Sequence, residues 1–332
     1  DKNIAIGKNS GGALNTGDRN VFIGDSSGDA ATDAQYNVGI GNDVMTSLTS
    51  GHSNTAVGLN THAALTTGDY NIAIGTNAAD GFDTEDHNLA IGYAALGGSV
   101  AGGEYNVAIG NETFEDLTSG DYNIAIGYQA GKEMQSGVRN VMIGHRAGDN
   151  ITASSSNVII GDEAIGTGVL TGEQNVVVGR NAGQDMTSAT KNVFLGFEAG
   201  LNATTSDGNV IIGHEANGAG VLTGANNVVI GKLAGNDMTS ANQNVLIGED
   251  AGANITEADA NVIIGQGAGE AVTTGGSNIL VGVNAGNSFD AETHNLAIGH
   301  TALSGSVAGG EFNVAIGSYA GDALTSSDHN VM

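Results

Sequence analysis

The residues best suited to chemistry in this sequence are carboxylates and histidines gathered in one short loop that occurs twice. "FDTEDH" brings together Asp83, Glu85, Asp86 and His87, and its copy "FDAETH" brings Asp290, Glu292 and His294. Clustered carboxylate oxygens are what a hard cation takes. Asp83, Glu85, Asp86, Asp290 and Glu292 are therefore the candidate calcium ligands, against the plainer reading of a solvated acidic turn. The eight histidines form neither an HExxH motif nor a close pair and are expected in surface loops. Glycosidic cleavage needs two acids facing each other across a cleft, and here the acids are scattered while aromatic residues make up only 4% of the chain. Cysteine is absent, which removes thiolate nucleophiles and thiolate metal sites. This distribution predicts no enzyme and no cofactor other than calcium.

What positions these groups is a repeat. Asn opens the phrase N-V-A-I-G twenty times, from Asn3 to Asn330, at spacings of 17 residues except for four of 18. All nineteen complete copies close on Gly, and the residue before that Gly is Ile in fifteen, Val in three and Leu in one. Apolar residues fall at places 2, 4, 8 and 12 of the unit, a rhythm without the 3.6-residue period of a helix. A short strand, a glycine corner, an extended return and a Gly or Ser turn make one rung of a β-solenoid, with rungs about 4.7 Å apart. The expected fold is all-β, a β-solenoid or β-roll of about 19–20 coils of 17–18 residues, forming a rod of roughly 90 Å from one continuous array over 1–332. The extra residue of each 18-residue unit falls in the loop before Val100, Val169, Val221 or Val307, which leaves the strand register intact.

Stacking explains the constancy of the phrase. It sets Asn71, Asn106, Asn123, Asn140 and Asn157 in a ladder whose amides bond along the stack, and Gly75, Gly110, Gly127, Gly144 and Gly161 at a corner that a side chain would block. Thr at place 13, as in Thr118, Thr187 and Thr239, forms a second file; ice-binding solenoids use such ladders but pair two of them, and here the neighbouring place varies among Ser, Thr, Gly, Asp, Glu and Ala.

Alternation along a strand puts places 2 and 4 on one face and place 3 on the other. With places 2 and 4 assigned to the interior, a charge at Ile126 is expected to sit unpaired in the wall. Place 3 then points outward, yet it is never polar, and it is bulky in nine successive units: Met142, Ile159, Val177, Phe194, Ile211, Val229, Leu246, Ile263 and Leu280. Strands apolar on both faces lie between two layers, so these nine are the expected oligomer interface. A homotrimer is the expected assembly, burying three such ribbons against one axis.

The phrase "NVAIGxxA...LTSG" resembles the head repeats of trimeric autotransporter adhesins and the N-T-A-I-G-Y-x-A repeats of bacteriophage tail fibres, over essentially the whole chain. The resemblance implies a parallel trimeric β-roll that extends or displays a receptor-binding tip. Asn stands where the adhesins often have Ser, and the coils are longer than in those heads. The implied role is a structural shaft or head segment of an extracellular, cell-surface or virion fibre, with loops or a tip that engage a receptor or glycan. An ice-binding solenoid and a subunit of a surface filament or coat are the alternatives. The chain opens just before one repeat and stops within another, the expected look of a fragment of a longer fibre. A net charge of -27, from 36 acidic and 9 basic residues, repels phosphate and argues against nucleic acid. No apolar run is long enough to insert in a membrane as a helix.

Overall fold

The computed structural model describes residues 2–98, 103–305 and 309–332. Each repeat contributes one three-residue strand, from β1 (Ile4–Ile6) to β19 (Val314–Ile316), and the described residues contain no helix. The chain is a parallel β-solenoid. Within each stretch of the stack a strand pairs with its sequence neighbour in parallel and in register, so that Ala108 opposes Ala125 and Ala125 opposes Met142. The extra residues at 100 and 307 lie outside the described positions. Around Val221 the register of the flanking strands is kept, as the Val210–Val228 pairing shows.

The chain forms two compact units, Asp1–Gly166 and Thr167–Met332. The division falls inside an 18-residue repeat. Each coil of a solenoid touches only its neighbours, so no composition change marks such a boundary. The first unit holds β1 to β10 (Val158–Ile160), and the second holds β11 (Val176–Val178) to β19.

Backbone bonds between coils continue well beyond the strands. In the first unit Ser26 N–H donates to Lys8 C=O at 2.9 Å, Tyr36 N–H to Asp18 C=O at 3.1 Å and Thr49 N–H to Thr66 C=O at 2.8 Å. The second unit repeats the pattern, with Glu198 N–H on Arg180 C=O at 3.0 Å and Thr187 N–H on Thr204 C=O at 2.9 Å. Tight corners make this registry feasible. Gly75, Gly110, Gly127, Gly144 and Gly161 take φ between +136° and +141°. A Cβ on Gly127 would also fall on the carbonyl of Gly144 in the next coil. Further corners use non-glycine residues in the left-handed region, among them Tyr70 (φ 59°), Gln129 (φ 55°) and Phe114 (φ 51°).

The interior is thin and is filled by complementary volumes. Place 3 of the strand faces place 9 of the same coil. Phe22, Phe194 and Leu280 lie against Gly28, Gly200 and Gly286, where an added Cβ would meet the ring or the Leu side chain. Conversely Gly39, Ala90 and Ala108 share their coils with Met45, Leu96 and Phe114, all fully buried. In these coils a large residue faces a small one in either order, whereas Ile159 shares its coil with Ile165.

This packing reverses the sequence expectation for the strand faces. Met142, Ile159, Val177, Phe194, Ile211, Val229, Leu246, Ile263 and Leu280 are each 0% exposed within the single chain, so they build the core and cannot form an oligomer interface. Places 2 and 4 point outward instead. The reason lies at the Asn: its buried amide occupies the inner side at place 1, and strand alternation then brings place 3 inward with it.

Candidate functional site: an outward apolar face

The outward residues of the strands form two parallel files on each unit. Across all nineteen strands they are Val, Ile or Leu at every position but Thr55. None is charged, on a chain whose net charge is -27. They are solvent-accessible: Ile72 is 42% exposed, Ile74 40% and Leu195 44%. Ile126, expected in the wall, is one of these outward residues at 36%. At about 50 Å² of open apolar surface per residue, the ten strands of the first unit present roughly 1,000 Å², beyond an ordinary monomer patch and close to one partner's share of a stable interface.

Two further files flank this face. On the Asn side, Tyr70, His87, Tyr105 and Tyr122 stack at centroid distances of 5.0, 4.7 and 5.0 Å. In the second unit His294, Phe312 and His329 stack at 4.9 and 5.1 Å. On the Gly side, Tyr128 stacks on His145 at 5.6 Å and Phe197 on His214 at 4.9 Å. Ring faces are spent on one another along the stack. Their edges are left to solvent, with Tyr70 at 56%, so these rings offer no open platform for a sugar.

Behind the face runs the Asn ladder. Asn140 donates its backbone N–H to Asn123 Oδ1 at 2.9 Å and its side-chain Nδ2 to the same oxygen at 3.1 Å. The other Asn140 Nδ2 proton goes to the Ser154 carbonyl, 14 residues on, at 2.8 Å, closing the coil. Asn71 and Asn106 make the equivalent contacts, while Asn157 makes the same pair to Asn140 Oδ1 and turns its Nδ2 onto Ser154 Oγ and the Ser155 carbonyl. The buried amides of Asn71, Asn106 and Asn140 therefore have partners for both oxygen and nitrogen.

The calcium candidates are turned to other work. Glu85 Oε2 accepts the N–H groups of Asp83 and Thr84 at 2.6 and 3.0 Å, and Asp86 Oδ1 accepts Asp69 N–H at 2.6 Å. Asp83 binds the Thr66 hydroxyl, and Asp290 the Thr273 hydroxyl. Glu292 accepts Asp290 N–H at 2.6 Å and Gly309 N–H at 3.0 Å. The carboxylates take backbone N–H groups or threonine hydroxyls instead of converging. Among the described residues no three His, Asp or Glu side chains are placed to hold a metal ion. The hydroxyls of Thr118, Thr187 and Thr239 donate to carbonyls of the next coil at 2.9, 3.0 and 2.9 Å, so the Thr file also serves the stack. A shallow open hollow lined by Thr171, Glu173, Ser188, Thr190 and Lys191 is polar and gathers no catalytic pair.

One histidine departs from the expected surface position. His62 is 0% exposed, and burial pushes its pKa from 6.5 down to about 4. Among the described residues no helix is long and apolar enough to cross a membrane.

The sequence signal that could have placed the strand faces correctly was the exchange of volume between places 3 and 9 within this one chain. Set beside known protein families and curated proteins, the chain matches none.

Proposed function

We propose that this chain is a structural segment of an extracellular or virion fibre, in which copies lie parallel and pack their outward apolar files together as a homotrimer. The observation that carries the reading is the uncharged double file of Val and Ile on a strongly acidic chain. An exposed sheet face of that composition is a liability unless covered. A second copy is the occupant best suited to it, because only a stack with the same rung spacing stays in step over many coils. Two files per coil favour three-fold packing, in which each file meets the other file of a neighbouring copy. The resemblance of the N-V-A-I-G phrase to trimeric adhesin heads and phage tail fibres supports the same assembly. Its work would be to hold a receptor- or glycan-binding tip away from a surface, with adhesion added by loops.

Light scattering and sedimentation of the 32.9 kDa chain test this directly. The expected mass is three chains for the native sequence and one chain for a variant carrying Ile74→Glu, Ile109→Glu and Ile126→Glu. A native chain that remains a monomer at tens of micromolar would overturn the proposal.

A further inference from the structure

The histidine in the core belongs to no part of the fibre reading. Its coil position, place 9, is inward throughout the first unit and is held by Met45 in the preceding coil, Ala79 in the next, and then Leu96 and Phe114, all buried. His62 alone among these carries a titratable ring. Neither Nδ1 nor Nε2 makes a hydrogen bond of good geometry, the Ala79 backbone only weakly favours a protonated ring, and the Phe82 ring lies 5.8 Å away. Leu48 and Leu65, also fully buried, belong to the coils around it. The backbone at this point joins coils in both directions, with His62 N–H donating to Ala78 C=O and Met45 N–H to Thr61 C=O, each at 3.1 Å.

No charged side chain offsets a proton on that ring. On the coil before it, Asp43 and His52 occupy partly exposed positions, as does Asp69 on its own coil. On the coil after it, Asp80 and Asp86 are partly exposed, and Asp83 and His87 are exposed. The Glu85 carboxylate is buried but is turned onto the backbone of Asp83 and Thr84. A cation in this apolar site would meet a desolvation cost that the Ala79 backbone offsets only in part.

We propose that His62 makes the coils around it an acid-labile segment, which loosens on protonation while coils elsewhere stay closed. In a solenoid each coil is held by its neighbours alone, so a local cation in the core opens a short stretch without melting the whole. The direction follows from the ring's affinity for protons. Burial holds its pKa near 4, against 6.5 when it is free in water. The opened segment therefore binds the proton more readily, and closure weakens as pH falls from about 6.5 towards 4. Between pH 7.5 and pH 5 the opening equilibrium should rise roughly 30-fold.

Hydrogen exchange followed by mass spectrometry, corrected for intrinsic pH dependence, reads this out. Peptides spanning 44–65 should lose roughly 30-fold of protection between pH 7.5 and pH 5, while peptides over 193–264 do not follow. His62→Leu should remove the acid response, since Leu96 and Leu303 already occupy place 9 with the same left-handed backbone. Imidazole NMR of the native chain gives a second measurement that needs no variant. An identical acid response in the native chain and in His62→Leu, or a ring that titrates near its ordinary value in the folded chain, overturns the proposal.

Discussion

Replacing Asn123 by Ala asks how much a single rung of the amide ladder contributes. The side chain makes four bonds. Its Oδ1 accepts Asn140 N–H at 2.9 Å and Asn140 Nδ2 at 3.1 Å, and its Nδ2 donates to Asn106 Oδ1 at 3.2 Å and to Gly137 C=O at 2.8 Å. Truncation does not strand every partner. Asn106 Oδ1 keeps the backbone N–H of residue 123 at 3.0 Å, and Asn140 Nδ2 keeps Ser154 C=O. Two buried backbone groups, Asn140 N–H and Gly137 C=O, lose these side-chain partners in a region closed to water. At about 1–3 kcal/mol for each stranded group, with the lost bonds adding to the total, the local cost is about 3–6 kcal/mol. Repeat arrays need not unfold in one step, so the suitable assay is site-resolved exchange at the Val107–Ile109 and Val141–Ile143 strands. Protection there should fall by roughly two to four orders of magnitude. Protection within threefold of the native chain would show that the ladder is a by-product of stacking and refute the role given to it.

The inward and outward faces can be separated at adjacent residues. Met142→Asp places a charge in the core and should cost about 4 kcal/mol or more, seen as loss of exchange protection in the Val141–Ile143 strand. Ile143→Asp, one residue on, should cost the coil under about 1 kcal/mol while weakening association measured by sedimentation. Equal damage to the fold from both would contradict the assignment of faces. Glu85→Gln should destabilise its loop by about 1–2 kcal/mol, because a carboxylate oxygen that caps two N–H groups becomes a weaker neutral acceptor. Millimolar calcium should leave exchange in that loop unchanged, and a calcium-dependent gain in protection there would return the carboxylates to metal binding.

The repeat length, the parallel stacking and the purposes of the Asn and the corner Gly could all be inferred from the sequence, because each depends on a residue type recurring at fixed spacing. The two faces of the strand were harder to tell apart. Val at place 2 and Ile at place 4 are as apolar as the residues between them, so hydrophobicity alone assigns neither side. The deciding information was steric: Phe22 pairs with Gly28, Phe194 with Gly200, and Ala108 with Phe114. His62 was obscured for a related reason. A histidine is assumed to be at the surface until the partner positions around it are known to be Met45, Ala79 and Phe82. The acidic loops read as ligand clusters in one dimension, but the fold turns the carboxylates onto separate partners, backbone N–H groups for Glu85, Asp86 and Glu292 and threonine hydroxyls for Asp83 and Asp290. The division at Gly166 has no compositional mark at all.

The amide ladder runs in a single sense, each Asn taking protons from its successor and giving them to its predecessor. A coil added in the same orientation meets a ready acceptor on one side and a ready donor on the other. An inverted coil would set oxygen against oxygen. Such a scaffold can thus grow or shrink by whole turns without any interior having to be redesigned, while its polarity from one terminus to the other stays fixed.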